Sequence, residues 1–328
     1  MVIANVFDRL IDGMDKMKTP LMIGLDPNIA QFPAPFLRLY SDWSQQFKAA
    51  GAAIFEFNRR IIDATYDLVT IYKPQSAYYE QYGHHGIEAL EATIEYAKSK
   101  GAMVCLDAKR NDIADTSAAY AEAHLGKVLM PSGQYMRALD DVDLMTVNGY
   151  LGVEGILPFV EVANRDGKGI FVLAKTSNPG SGELQDVKLE TGEEVYARMA
   201  SMIDGWGVGS VGINGFSNIG AVVGATHPEQ AARLRQDYPH IFFLMPGYGA
   251  QKAKAETLSN GFDSNGRGAV VNSSRAILYA YALESFRIRH PQLADPLRFG
   301  DAARLATIEA KQEINGVLAD AGKLPAGW

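Results

Sequence analysis

Short apolar runs alternate with longer amphipathic stretches along the 328 residues. Eight such runs stand out, at 21–25, 68–72, 102–106, 142–147, 169–174, 219–224, 241–245 and 268–271. Most are apolar throughout, as strands covered on both faces are. Between them lie stretches of helical periodicity, such as 86–99 and 228–237. Strand–helix alternation predicts a parallel sheet. Eight units predict an α/β fold, a closed (β/α)8 TIM barrel, which typically takes ~250 residues. An open doubly wound sheet is the competing arrangement. The surplus length falls in a long first connection, a polar loop near 177–194 and a tail after Glu284. The expected organisation is one domain over 1–328, with a barrel core at about 20–284 and a helical C-terminal extension at 285–328.

The polar residues fall where such a barrel would need them. Sites in this fold form at the C-terminal ends of the strands. Here the runs end at Asp26, at Lys73, at Asp107 and Lys109, at Asn148, at Lys175–Ser177, at 246–251 and at 272–275. Strand ends are also loop starts, and loops are polar in any fold.

Composition narrows the class. Hydrophobic residues make up 47% and charged residues 21%, which excludes a disordered chain, a coiled coil and a collagen-like chain. Lys plus Arg is 31 against 38 for Asp plus Glu, a net charge of −7. That balance disfavours nucleic acid as a partner but permits an anion where positive charge is focused. One cysteine, Cys105, excludes an intrachain disulfide and a cysteine-based zinc site. No run approaches the ~20 apolar residues of a membrane span. The first 16 residues mix Asp8, Arg9, Asp12 and Asp15 with apolar positions, reading as an amphipathic helix and not a leader. The expectation is a cytoplasmic protein with no membrane partner.

The densest chemical signal is at residues 106–113, Leu-Asp-Ala-Lys-Arg-Asn-Asp-Ile. Strand alternation puts Asp107 and Lys109 on one side. Asp112 lies near the start of a helical stretch at 116–125, so two carboxylates are expected to flank one ammonium within a few ångströms. Such a lysine stays charged. It would act as a proton donor, not a Schiff-base amine. Lys73, ending the preceding strand, would complete an alternating Lys–Asp–Lys–Asp chain. A solvated charge cluster, with Asp112 or Asp115 capping the next helix, is the plainer alternative.

Residues 107–113 followed by Thr116 resemble the D-x-K-x-x-D-I-x-x-T signature of orotidine 5′-phosphate decarboxylases. Gly24-Leu-Asp-Pro27, Tyr72-Lys-Pro74 and the T-V-N-G-Y-L-G of 146–152 are similar to that family in the same order, as are the K-T-S-N-P-G-S-G of 175–182 and the V-V-G-A-T of 222–226. The P-G-Y-G-A-Q of 246–251 and the N-S-S-R of 272–275 complete the resemblance. It runs from about Leu21 to Tyr281 and is greatest to the longer, bacterial-type branch.

The resemblance implies a TIM-barrel homodimer that converts orotidine 5′-phosphate to UMP without a metal or organic cofactor. It implies Lys109 as the proton donor at C6, with Asp107, Lys73 and Asp112 as the rest of the catalytic array. Asp112 and Thr116 would be supplied by the second subunit. Asp26 would contact the ribose hydroxyls and Ser177 the pyrimidine edge from a closing loop. Gln251 and Arg275 would hold the phosphate, Arg275 through its planar fork. Taken without the resemblance, Asp26-Pro27 is also a turn start, the Ser177 loop a surface loop, and Arg275 a helix arginine paired with an acid. Lys252-Ala253 replaces a glycine pair, Gly149 a proline, and Asn111 a glycine. Three further readings compete: a Mg2+-dependent sugar-phosphate decarboxylase with the same D-x-K-x-x-D core, a Schiff-base aldolase using Lys175, and a non-catalytic nucleotide-binding barrel.

Overall fold

The structure is a computed structural model that describes residues 4–41, 44–138, 140–249 and 255–328. Eight parallel strands close into a barrel in sequential order. They are β1 (Leu21–Leu25), β2 (Ile71–Pro74), β3 (Met103–Arg110), β4 (Leu144–Val147), β5 (Gly169–Lys175), β6 (Ile219–Val223), β7 (Phe243–Met245) and β8 (Ala269–Ser273). The ring closes where Leu21 to Ile23 of β1 pair with Val271 to Ser273 of β8. The (β/α)8 expectation therefore holds, and the open sheet does not.

Alternation along each strand divides the core in two. Residues such as Met22, Ile71, Cys105, Leu144 and Val270 face inward and form one buried cluster. Their neighbours Ile23, Tyr72, Val104, Met145 and Val271 pack outward against the helices. The inward cluster includes Val6, Phe7, Leu10 and Ile11 of α1 (Val6–Met17). Phe7 stacks on Phe242 at 4.5 Å, just before β7, so α1 covers the N-terminal end of the barrel. The helix that the first residues predict is thus a plug under the core.

Only the first run, 21–25, matches its strand at both ends, and the second and third differ most. The second run was expected at 68–72, but the Leu68 amide closes a turn on the Thr65 carbonyl at the end of α2 (Gln46–Thr65), and β2 begins only at Ile71. The third runs on through the charged residues to Arg110, because its inward positions there face the open mouth. A hairpin of Lys127–Leu129 with Tyr135–Arg137 has no counterpart in the expected elements. Its strands are three residues each and largely exposed, so they carry no alternating burial to read.

The tail returns to the barrel. Phe299, first in α3 (Phe299–Asp320), stacks on Phe57 of α2 at 4.7 Å. Arg304 holds both carboxylate oxygens of Asp67, at 2.6 and 2.8 Å.

One buried cation bears on stability. Arg235 is 8% exposed and makes no ion pair among the described residues. Its guanidinium donates to the carbonyls of Gly261, Pro239, Ile241 and Gly268 at 2.6–3.2 Å and lies 4.0 Å from the Phe243 ring centre. Burial lowers its pKa to about 10. Arg235→Ala should strip a hydrogen bond from four carbonyls, leaving that of Gly268 with the Phe243 amide alone, and cost about 3 kcal/mol, read as a lower urea midpoint.

Candidate active site

The inward parity of the strands carries straight into the mouth. Ile71 and Lys73 of β2 with Gln75 just past its end, and Met103, Cys105 and Asp107 of β3, point the same way, apolar at depth and polar at the C-terminal end. Asp107 is the hub. Its Oδ2 accepts from Lys73 Nζ at 2.6 Å and from Gln75 Nε2 at 3.0 Å. Its Oδ1 accepts from Lys109 Nζ at 2.5 Å and from the Thr146 hydroxyl at 2.9 Å. A carboxylate so enclosed is stable only as an anion. Burial pushes the Asp107 pKa up, but the two ammonium groups outweigh it and hold it well below the usual carboxylate range. Burial likewise opposes the charge on Lys73, and Asp107 and Asp26 outweigh it, so its pKa is raised.

The two lysines differ in access. The Lys73 side chain is 4% exposed, whereas that of Lys109 is 44% exposed. Lys109 is thus the cation with room for a reacting partner. Its backbone is also unusual. The strand register shifts between Leu106 and Arg110, and Lys109 has φ of 49°. This left-handed conformation is strained for a side-chain-bearing residue. Thr146 holds it there by accepting the Lys109 amide at 3.0 Å. Thr146 therefore orients both Asp107 and Lys109.

Asp112 departs from the expectation drawn from the residues alone. Among the described residues it makes no ion pair with Lys109. Its Oδ1 accepts the amide of Ile113 at 2.8 Å. Asp112 stands two residues before the following helix, Ala114–Leu125, which opens with Ala114 at φ of 46°, and the exposed Thr116 lies in its first turn. One chain brings together Lys73, Asp107 and Lys109 and leaves Asp112 and Thr116 outside that cluster.

Two connected hollows lie over the array. One, of about 430 Å³, is bounded by Lys73, Asp107, Lys109, Thr146, Ser177 and Leu244 among others. The other, of about 180 Å³, shares Lys73 and Asp107 and is bounded by Asp26, Asn272, Gly247 and Arg275. Ser177 thus borders the half that holds Lys109. The polar walls of the other half contain two buried acceptors, Asp26 Oδ1 and Asn272 Oδ1, with no hydrogen-bond donor among the described residues. Arg275 is exposed at its rim and makes no ion pair among the described residues, so the helix-arginine reading with an acidic partner is not met. Gln251, Lys252 and Ala253 lie outside the described residues.

Lys175 belongs elsewhere. Its side chain is 0% exposed and its Nζ donates to Asp186 at 2.7 Å and to Ser181 at 3.2 Å. It anchors the 177–186 loop and does not border either hollow, which removes it as a Schiff-base amine. Gln185 reinforces the same loop, accepting the Thr176 amide at 2.9 Å and donating to its hydroxyl at 2.8 Å. Among the described residues no three His, Cys, Asp or Glu side chains are grouped as metal ligands. No helix of those residues is long and apolar enough to cross a membrane.

Gln75, Thr146 and Asn272 join the site although none carries a charge that marks it in the sequence. Gln75 has a readable signal, since it stands two positions after Lys73 and shares its parity.

Residues 19–284 match the model of the orotidine 5′-phosphate decarboxylase / HUMPS family. The chain belongs to that family. A relative named orotidine 5′-phosphate decarboxylase from Caldicellulosiruptor bescii is 43% identical over 278 residues, covering 84% of this chain and 90% of the relative. Another of the same name from Rhodopirellula baltica is 41% identical, covering 90% and 93%. Among solved structures, the Leishmania donovani OMP decarboxylase superposes with a TM-score of 0.68 at 30% identity, covering 95% of this chain and 98% of that one. The family match takes in all eight strands, and with them the Lys73–Asp107–Lys109 array.

Proposed function

We propose that this chain decarboxylates orotidine 5′-phosphate to UMP, a step of pyrimidine biosynthesis, as a cytoplasmic homodimer. The observation that carries the reading is the ionised Asp107 held between Lys73 and Lys109 at the base of the mouth. Loss of CO2 from C6 of the pyrimidine leaves an electron pair in the ring plane, orthogonal to the π system. No ring carbonyl absorbs it by resonance. What remains is a fixed cation beside C6.

In this mechanism the C6–carboxylate bond breaks, CO2 departs, and the electron pair stays on C6. Lys109 stabilises it and transfers one ammonium proton to C6, completing UMP. The lysine regains its proton from solvent. Asp107 aims the Lys109 ammonium, and Lys73 keeps Asp107 ionised. The two orphan acceptors, Asp26 Oδ1 and Asn272 Oδ1, suit the hydroxyl donors of a ribose. Arg275 suits the phosphate, with Gln251 as its proposed companion. Ser177 suits the pyrimidine edge.

The dimer supplies what one chain lacks. Ile113, Tyr150, Leu151, Val153 and Leu157 are exposed apolar side chains beside the mouth. They flank or begin two helices that the Ser117 hydroxyl joins by donating to the Gly155 carbonyl at 2.7 Å. Covering this patch with a second copy would deliver Asp112 and Thr116 to the neighbouring site.

The test follows the absorbance of orotidine 5′-phosphate with and without EDTA. Turnover unchanged by the chelator is expected. No turnover, or turnover of a sugar phosphate that EDTA abolishes, would overturn the reading.

A further inference from the structure

The connection between β7 and β8 has one stem before residues 250–254 and one after them. The C-terminal tail holds both. On the first stem, the buried Tyr248 hydroxyl donates to Glu313 Oε2 of α3 at 2.5 Å. On the second, Lys323, just past α3, donates to the carbonyls of Ser259 and Phe262, each at 2.8 Å. The tail is itself fixed to the barrel at its base. Asn315 Nδ2 donates to the Lys18 carbonyl at 2.8 Å and Lys311 Nζ to that of Met17 at 2.5 Å.

The first stem needs such support. Tyr248 stands between Gly247, with φ of 102°, and Gly249, with φ of 82°. Both conformations are open to glycine at the cost of backbone freedom that must be lost on ordering. A Cβ on Gly249 would come within 3.2 Å of Ala276 Cβ, so this stem runs directly against the turn that carries Arg275. Gly247, Tyr248 and Arg275 border the same 180 Å³ hollow. Burial and the adjacent carboxylate raise the Tyr248 pKa, so its hydroxyl remains a donor.

We propose that the C-terminal extension braces the phosphate side of the site, with Glu313, through Tyr248, as a positioning residue that sets the β7–β8 backbone against Arg275. The proposal rests on the decarboxylase reading and on phosphate lying at Arg275. Binding energy from a remote phosphate that is spent on ordering its loop is not available at the reacting centre. Glu313 touches no reacting atom, so its effect must pass through the phosphate.

The experiment uses the full chain carrying Glu313→Ala, an exposed helix position where alanine is well tolerated. With orotidine 5′-phosphate, kcat/KM should fall roughly tenfold, the scale of one hydrogen bond to a charged acceptor. With the phosphate-free nucleoside it should not change. Tyr248→Phe should reproduce the loss, and the loss should vanish in an Arg275→Ala background. Amide exchange at Gly247–Gly249 should quicken in Glu313→Ala, a readout that needs no turnover. Equal losses on both substrates, no loss on either, or unchanged exchange would overturn the brace. If the unmodified protein turns over neither substrate, the decarboxylase reading fails, and exchange still decides whether Glu313 pins the stem.

Discussion

Replacing Lys109 with alanine should abolish turnover in a protein that still folds and still binds UMP. The substitution removes both the cation beside C6 and the proton that C6 receives. Electrostatic stabilisers and general acids are each worth roughly 10²–10⁴ in rate, so a combined loss of at least about 10⁴ is expected. The fold should tolerate the change. The Lys109 side chain is 44% exposed, and Asp107 keeps Lys73, Gln75 and Thr146 as partners. With alanine at 109 the strained backbone at φ of 49° remains, held by the Thr146 hydroxyl. The measurement pairs the absorbance assay with UMP titration. Near-normal turnover would remove Lys109 from the mechanism. Loss of UMP binding together with turnover would show that Lys109 supports the pocket and not the chemical step.

How far the site was legible from sequence follows from what kind of side chain stands at each position. Lys73 and Asp107 could be read because a charge closing a fully apolar strand has few structural uses. Leu21–Leu25 and Ile219–Val223 could be read as barrel strands because burial on both faces leaves an unbroken apolar run. Gln75 and Thr146 were harder. A neutral polar residue at a strand end looks like any loop start, although each bonds Asp107 directly. Asn272 lies within a motif but acquires meaning only from its Oδ1, buried near Asp26 with no donor among the described residues. The left-handed backbone at Lys109 and Ala114 leaves no trace in residue type, since neither is glycine or asparagine. The one at Lys109 stands between Asp107 and Asp112 and breaks the strand regularity on which their expected proximity rests. Tyr248 and Glu313 are 65 positions apart, a pairing that no local pattern encodes.

The separation of Asp112 from Lys109 leads to the second large effect, an activity that returns when two dead proteins are mixed. If each site takes Lys109 from one chain and Asp112 from the other, Lys109→Ala and Asp112→Ala homodimers should each be nearly inactive. Subunit exchange changes the arithmetic. In the mixed dimer one site carries both substitutions. The other carries neither, because its Lys109 comes from the Asp112→Ala chain and its Asp112 from the Lys109→Ala chain. Random exchange makes half of the dimers mixed, each with one sound site, so about a quarter of the unmodified activity per total chain should return. If Asp112 instead serves its own chain, every site of the mixed dimer keeps one defect and nothing returns. Activity is measured after mixing, with exchange followed by native mass spectrometry. Confirmed exchange without recovery would sink the shared site, yet would leave the array of Lys73, Asp107 and Lys109 as it stands, because those three residues meet within a single chain.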